Sequence, residues 1–125
     1  MKLAVGVDLV KTERIAESLA TFGDRFLRRV FTDAEIAYAN EAPALANERL
    51  AARFAAKEAT VKALDLVERG VGWRQIEVAR APSGAPALRL HGIETRATDV
   101  ALSLSHEGDY ATAVVVASFP DEQGP

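Results

Sequence analysis

The 125-residue sequence predicts an α+β domain, in which an antiparallel sheet packs against a long central helix. Helical patterns are grouped in the first half of the chain, whereas alternating strand patterns and turn residues fill the second half. Grouped helices followed by grouped strands indicate α+β rather than alternating α/β architecture. The length fits one domain, which we place at 1–119, and we expect 120–125 to form a flexible acidic tail.

Four helices and one strand are predicted before residue 70. Residues 2–9 alternate with the period of a β-strand. Thr12 is a candidate cap for a helix that begins near Glu13. A capping box, in which a threonine and a glutamate three residues later satisfy each other's backbone groups, predicts another helix start. The remaining predictions are a short helix at 24–30, the capping box at Thr32 and Glu35, and a helix at 44–66. Residues 64–69 are expected to extend this last helix toward Gly70.

The last 53 residues favour strands joined by turns. Alternation predicts strands at 73–80, 87–91, 100–106 and 110–119. Ala81-Pro82-Ser83-Gly84-Ala85-Pro86 is a turn sequence, and Glu107-Gly108-Asp109 predicts a three-residue hairpin loop. The stretch at 93–98 is weakly helical.

Composition excludes several functions. The chain has no cysteine, so it forms neither disulfides nor thiolate zinc sites. No apolar run reaches the roughly 20 residues that span a bilayer, and no phosphate-binding glycine loop occurs. With 15 basic and 18 acidic residues, the net charge is -3, which disfavours nucleic-acid binding. We therefore expect a cytoplasmic protein with no nucleic-acid or membrane partner.

Asp8 and Glu58 are candidates for binding a metal ion. Asp8 shares a strand face with the small residues Ala4 and Gly6, which leaves space beside it, although a capping role is the simpler explanation. Glu58 lies on a helix face with small alanines and stands four residues before Lys62. That spacing also suits an ordinary helical ion pair.

Two further sets of residues have a structural and a functional explanation. Arg49, Arg53 and Lys57 recur every four residues, which indicates either a solvated helix face or a basic stripe for an anion. His106 ends a strand, and its neighbour Ser105 points to the opposite face, so the two make a poor catalytic pair. A third, mixed-charge patch suits either a helical surface or docking of an acidic partner, and comprises Arg14, Arg25, Phe26 and Arg28.

Three ordered blocks resemble a known family. They are Gly6-Val7-Asp8-Leu9-Val10 followed by Arg14-Ile15, then the segment from Arg53 through Lys57-Glu58 to Ala63, then Ser103-Leu104-Ser105-His106-Glu107. In this order, and at this chain length, they are similar to the small bacterial holo-acyl-carrier-protein synthase class of 4'-phosphopantetheinyl transferases. The resemblance covers nearly the whole chain.

The resemblance implies a magnesium-dependent transfer of 4'-phosphopantetheine from coenzyme A to a serine of an apo acyl carrier protein, with release of adenosine 3',5'-bisphosphate. It also implies a homotrimer with clefts between subunits. The implied roles are Mg²⁺ ligands at Asp8 and Glu58, a catalytic Lys62 at the phosphate, coenzyme A contacts at Arg53, Gly84, Pro86 and His106, and carrier docking at Arg14, Arg25, Phe26 and Arg28.

Two other functions compete with this one. A non-catalytic module that binds carrier protein or coenzyme A needs the same fold without turnover, but the presence of Asp8, Glu58 and Lys62 argues against it. A small nucleic-acid binder is disfavoured by the acidic balance.

Overall fold

The computed structural model of the chain describes residues 1–121, so residues 122–125 of the predicted tail lie outside the described part. The helices are α1 (Thr12–Phe22), α2 (Asp24–Val30), α3 (Asp33–Asn40) and α4 (Ala46–Ala63). The strands are β1 (Lys2–Lys11), β2 (Ile76–Arg80), β3 (Pro86–Leu90), β4 (Asp99–Glu107) and β5 (Tyr110–Phe119). The α+β class predicted from the sequence is confirmed.

The strands form two antiparallel sheets rather than a single one. The larger sheet has the order β1-β5-β4, and the smaller is the β2-β3 hairpin. Asp8, Ala113 and Leu104 are aligned across the larger sheet, on β1, β5 and β4 respectively. No helix within residues 1–121 is long and apolar enough to cross a membrane.

Helix α4 crosses one face of the larger sheet through a surface of alanines. Ala51, Ala55 and Ala59 are fully buried there. Gly6 permits the close approach, because a Cβ at this position would stand 1.9 Å from the carbonyl oxygen of Ala59. The small side chains therefore bring the backbone of α4 down onto β1. The sheet covers these alanines. The sequence had suggested that the alanines on the helix face of Glu58 leave open space beside it, and this is wrong.

Local chemistry explains which predictions were confirmed. The capping box at Thr32 and Glu35 is present. Thr12 does not cap α1, because β1 continues through Lys11, which takes the cap position in an extended conformation. Helix α4 ends at Ala63 rather than at residue 66, with Asp65 in a left-handed conformation (φ 55°).

Three predictions in the second half of the chain were wrong. The strand predicted at 73–80 begins only at Ile76, because Trp73–Gln75 form a 3-10 helix. Residues 93–98 form no helix. Gly92 just before them has a positive φ of 66°, which is not helical, and the β-branched residues Thr95 and Thr98 have low helix propensity. The hairpin between β4 and β5 has a two-residue turn, because Glu107 already pairs with Tyr110. Gly108 provides the positive φ that such tight turns need.

Candidate active site

Asp8, Glu58 and Lys62 meet at the β1 edge of the sheet. Lys62 Nζ donates a hydrogen bond to the carbonyl oxygen of Val7 at 2.9 Å and lies 3.4 Å from Asp8 Oδ1. Burial raises the pKa of Glu58, and the negative charge of nearby Asp8 raises it further, while Lys62 and Arg14 act in the opposite direction. Two carboxylates and a lysine therefore share one electrostatic environment.

The chemistry of this donor set fits Mg²⁺. Within residues 1–121 there is no cluster of three or more histidine, aspartate or glutamate side chains suited to a metal. Asp8 and Glu58 are instead a pair of oxygen donors at a part-exposed edge. Mg²⁺ retains several waters and commonly uses one or two protein carboxylates together with substrate phosphate. Two carboxylates therefore suffice for this ion, whereas a structural zinc site needs four ligands.

The four predicted coenzyme A residues come together elsewhere, around a cavity of about 180 Å³ at the β4 edge. Its lining residues are Tyr38, Ala52, Arg53, Arg80, Gly84, Pro86, Leu104 and His106. His106 Nδ1 lies 2.9 Å from Glu48 Oε2, so a carboxylate of α4 holds the imidazole ring.

Three guanidinium groups surround Tyr38 at this cavity. The Cζ atoms of Arg49, Arg53 and Arg80 lie 4.1, 4.2 and 4.8 Å from the centre of the tyrosine ring. Arg53 Nε is buried without a hydrogen-bond partner. Burial lowers the pKa of Arg53, but a guanidinium stays charged in proteins. The cluster concentrates positive charge, which suits a phosphate group.

The sequence patterns missed part of this cluster and misjudged the rest. Tyr38 and Arg80 come from α3 and β2, and no local pattern links them to α4. A solvated face for the Arg49 stripe was wrong, since Arg53 and Lys57 are only 6% and 0% exposed. Hydrophobic periodicity assigns charged residues to the surface, so a buried cation escapes it.

The two groups of residues stand on opposite edges of the larger sheet. Asp8 and Leu104 flank Ala113 at the same level of the sheet. They are therefore two strand spacings, roughly 10 Å, apart. Helix α4 packs over β5, the strand between them, and Ala55 of the helix and Ala113 of the strand are both buried. Within one chain, the helix separates the carboxylates from the arginine cavity.

A basic groove continues from Lys62 past the end of α4. Its volume is about 540 Å³, and its cations besides Lys62 are Lys2, Arg69 and Arg96. Arg69 Nη2 donates to the carbonyl oxygen of Glu94 at 2.7 Å, which fixes its guanidinium over the groove. The segment 64–69 thus forms turns that line a charged surface, instead of prolonging the helix.

The predicted docking residues divide between two helices. Arg14 lies on α1 and is exposed, close enough to Glu58 to lower its pKa. Arg25 and Arg28 on α2 are also exposed. Phe26 is half-buried, and its ring packs edge-on against Phe31 at 6.1 Å, so it supports the core as well as the surface.

Comparison with known proteins identifies the family. The sequence profile of the 4'-phosphopantetheinyl transferase superfamily matches residues 4–115. The chain belongs to this superfamily. The match includes all three blocks that carry the resemblance, from Gly6 to Glu107.

Individual members of the 4'-phosphopantetheinyl transferase superfamily are similar over nearly the whole chain. The holo-[acyl-carrier-protein] synthase of Koribacter versatilis is 47% identical, over 93% of this chain and 98% of its own length. Among solved structures, a Chronobacterium ammoniagenes ACPS–CoA complex superposes with a TM-score of 0.82 at 35% identity, covering 97% of this chain and all of the other. A Bacillus anthracis holo-(acyl-carrier-protein) synthase in complex with CoA (3',5'-ADP) gives 0.78 at 33% identity, covering 94% and 96%.

Proposed function

We propose that this chain is a holo-[acyl-carrier-protein] synthase. It transfers 4'-phosphopantetheine from coenzyme A to a serine hydroxyl of an apo acyl carrier protein. The observation that carries the proposal is that Asp8, Glu58 and Lys62 converge in a chain 47% identical, almost end to end, to an enzyme of that name. The similar proteins whose structures contain coenzyme A support coenzyme A as the donor of the phosphopantetheine group.

The reaction is a displacement at phosphorus. The serine oxygen bonds to the phosphorus that carries the pantetheine arm, and the bond from that phosphorus to the bridging pyrophosphate oxygen breaks. Adenosine 3',5'-bisphosphate leaves with the electron pair, and the serine proton must be removed. Positioning and charge neutralisation dominate the catalysis of such transfers.

Each residue at the β1 edge has a proposed part in this step. Asp8 and Glu58 would hold Mg²⁺, which supplies charge neutralisation on the pyrophosphate when bound. Lys62 directs its ammonium toward the same oxygens. Glu58 is our candidate acceptor of the serine proton, because its carboxylate lies in the electrostatic environment of Asp8 and Lys62, where the serine must arrive.

The cavity at the β4 edge is the proposed site for the nucleotide half of coenzyme A. Arg53 and His106 line this cavity and are the proposed contacts of a phosphate group, while Gly84 and Pro86 are the proposed contacts of the adenine base. The three guanidinium groups around Tyr38 add charge complementarity. Arg49 pairs only loosely with Glu41, at 3.9 Å, so the cluster retains positive charge.

We propose that the active enzyme is a homotrimer whose clefts lie between subunits. Within one chain α4 lies between the carboxylates and the arginine cavity, so we infer that a coenzyme A molecule that contacts both groups bridges two chains. The outer face of β1 is apolar, with Leu3, Val5, Val7 and Leu9 all 57–62% exposed. Covering that face with another copy brings a second β4 edge toward the β1 edge. The reaction is expected to take place in the cytoplasm.

The carrier protein is proposed to dock beside Arg14, on α1, and along α2. Arg14 is close enough to Glu58 to affect its pKa, which puts α1 beside the carboxylates where the serine must arrive, and α2 follows α1 directly in the chain. Arg25 and Arg28 present exposed positive charge to an acidic partner.

The test is transfer in vitro. The protein is incubated with coenzyme A, Mg²⁺ and apo acyl carrier protein from the same organism, and the intact mass of the carrier is measured. The expected gain is one phosphopantetheine per carrier, lost in Asp8→Ala and in Glu58→Ala. Thr98→Ala, far from both groups, is the matched control. Carrier binding without any mass gain would support the non-catalytic binding module instead.

A further inference from the structure

A buried ion pair lies directly behind the carboxylate site. Lys57, on α4, and Glu35, on α3, are 0% and 1% exposed. Lys57 Nζ lies 2.8 Å from Glu35 Oε1. Lys57 immediately precedes Glu58 in the sequence, yet it takes no part in the proposed chemistry.

All three ammonium hydrogens of Lys57 have acceptors from outside its own helix. These are Glu35 Oε1 and the carbonyl oxygens of Trp73 and Ile76. A lysine ammonium has three donors and no acceptor, so this group is saturated. Helix α4 is thereby tied to α3 and to the start of β2 at a single point.

Glu35 is held equally firmly on its own side. Its Oε1 also accepts from Thr32 N at 2.9 Å, within the capping box. Its Oε2 accepts from Val78 N at 3.0 Å, on β2. The anchor for Lys57 is therefore fixed between two elements, α3 and β2.

The contact between α4 and the sheet is made of small side chains. The residues that face the sheet are alanines, which make shallow ridges. Gly6 fixes how closely the helix approaches the sheet, whereas the Lys57–Glu35 pair ties the side of the helix to α3. A glutamate carboxylate lies about 5–6 Å from a helix axis, so a rotation of about 10° moves it by about 1 Å.

We propose that Lys57 and Glu35 are positioning residues that set the rotation of α4, and thereby hold Glu58 against Asp8 and Lys62. Adjacent residues on a helix are separated by about 100°, so Lys57 anchored on one side directs Glu58 to the next. This inference rests on the proposed function. Misplacement of a catalytic group by about 1 Å lowers rates by up to about a hundredfold.

The test compares Lys57→Met, Glu35→Gln and the double variant, each at a temperature well below its melting temperature. We expect Lys57→Met to lower kcat by about tenfold to a hundredfold and to raise the half-saturating Mg²⁺ concentration. KM for the carrier should stay constant, because α1 and α2 are untouched. Glu35→Gln should act in the same direction; it serves if Lys57→Met does not fold.

The double variant separates positioning from stability alone. Removing both charges leaves no orphaned buried carboxylate, so the melting temperature should recover relative to Lys57→Met. The positioning role requires that kcat and the Mg²⁺ requirement stay shifted nonetheless. Leu66→Ala is the control. It creates a cavity in a buried apolar cluster separate from the main core, so it should lower the melting temperature without changing kcat or the Mg²⁺ requirement. If Lys57→Met or Glu35→Gln folds and its kcat stays within twofold of that of the wild type, the proposal is overturned.

A binding measurement keeps this result distinct from the transferase assay. Mg²⁺ alone, without coenzyme A, should raise the melting temperature of the wild type at lower concentrations than it does in Lys57→Met. If wild type shows no transfer but this difference is present, only the proposed function fails. Equal Mg²⁺ dependence in both proteins would contradict the positioning role.

Discussion

At the scale of single residues, Gly6 determines how close α4 comes to β1. Any side chain there would meet the backbone of α4, with a Cβ 1.9 Å from the Ala59 carbonyl oxygen and 3.0 Å from Ala63 N. Backbone atoms of a packed helix cannot move aside as a flexible side chain does. The position of Glu58 over Asp8 therefore depends on a residue that has no functional group.

Gly6→Ala should consequently damage both stability and activity. Overpacking typically costs about 1–3 kcal/mol, and the displaced helix should carry Glu58 away from Asp8. Denaturant unfolding measures the first effect and the transfer assay the second. Gly72→Ala is the matched control, because its Cβ would meet only the flexible Gln75 side chain at 3.6 Å. Wild-type stability in Gly6→Ala would show that α4 does not pack as described.

Glu77 provides a residue-level prediction about pH. Burial acts to raise its pKa, but hydrogen bonds from Thr32 and His91 outweigh it, so the pKa of the carboxyl is lowered. A lowered folded-state pKa stabilises the protein above the pH where free glutamate titrates, about 4.3, and this contribution disappears as the pH falls further.

The expected signature is a stability gap that closes in acid. Wild type should be more stable than Glu77→Gln at pH 7, and the difference between their melting temperatures should narrow below about pH 4.3. Thermal unfolding from pH 7 to 3.5 measures the gap. A gap that widens in acid would contradict the assigned direction of the shift.

Residues differ in how far the sequence predicts them. Asp8, Glu58 and Lys62 were recognised as one group only through the family resemblance, because 50 residues separate the first from the second. The structure brings them to one edge, but their roles stay predictions. For Lys57 the sequence offered either a solvated helix face or a basic stripe for an anion, and neither anticipated its buried pairing with Glu35, because no local pattern links the two residues.

At the scale of elements, the sequence predicted regular helices and strands well where local chemistry decides them. The capping box began α3, and β5 and α2 have the predicted bounds. Features that depend on contacts between distant parts of the chain were predicted less well. The separation of the β2-β3 hairpin from the larger sheet, and the turn at 108–109, depend on pairing between distant strands.

The β2-β3 hairpin carries a prediction about coenzyme A. Arg80 ends β2 and lies 4.8 Å from the Tyr38 ring, beside the turn that holds Gly84. Arg80→Met should raise KM for coenzyme A by about tenfold, the value of one charge-assisted hydrogen bond, and leave KM for the carrier unchanged. Arg89→Met, exposed on the same hairpin, is the control. An equal rise in both variants would indicate only a general effect of charge.

At the scale of the whole molecule, the fold places the two groups of candidate residues at opposite edges of the larger sheet. The carboxylates lie at the β1 edge, and the arginine cavity lies at the β4 edge. The apolar outer face of β1 is what a second copy would cover. From the sequence, the homotrimer was implied only by the family resemblance, because strand alternation in β1 does not distinguish the face that is buried from the face that is exposed.

If clefts form between copies, two inactive variants should rescue each other. Glu58→Ala lacks the carboxylate half and Arg53→Met lacks the cavity half, so each homogeneous assembly has no complete cleft. After the two are unfolded together and refolded at equal concentration, about a quarter of the clefts pair an intact half from each chain. The transfer assay should then recover about a quarter of wild-type activity. Refolding either variant alone is the control, and a mixture as inactive as its parents would place both halves of the site within one chain.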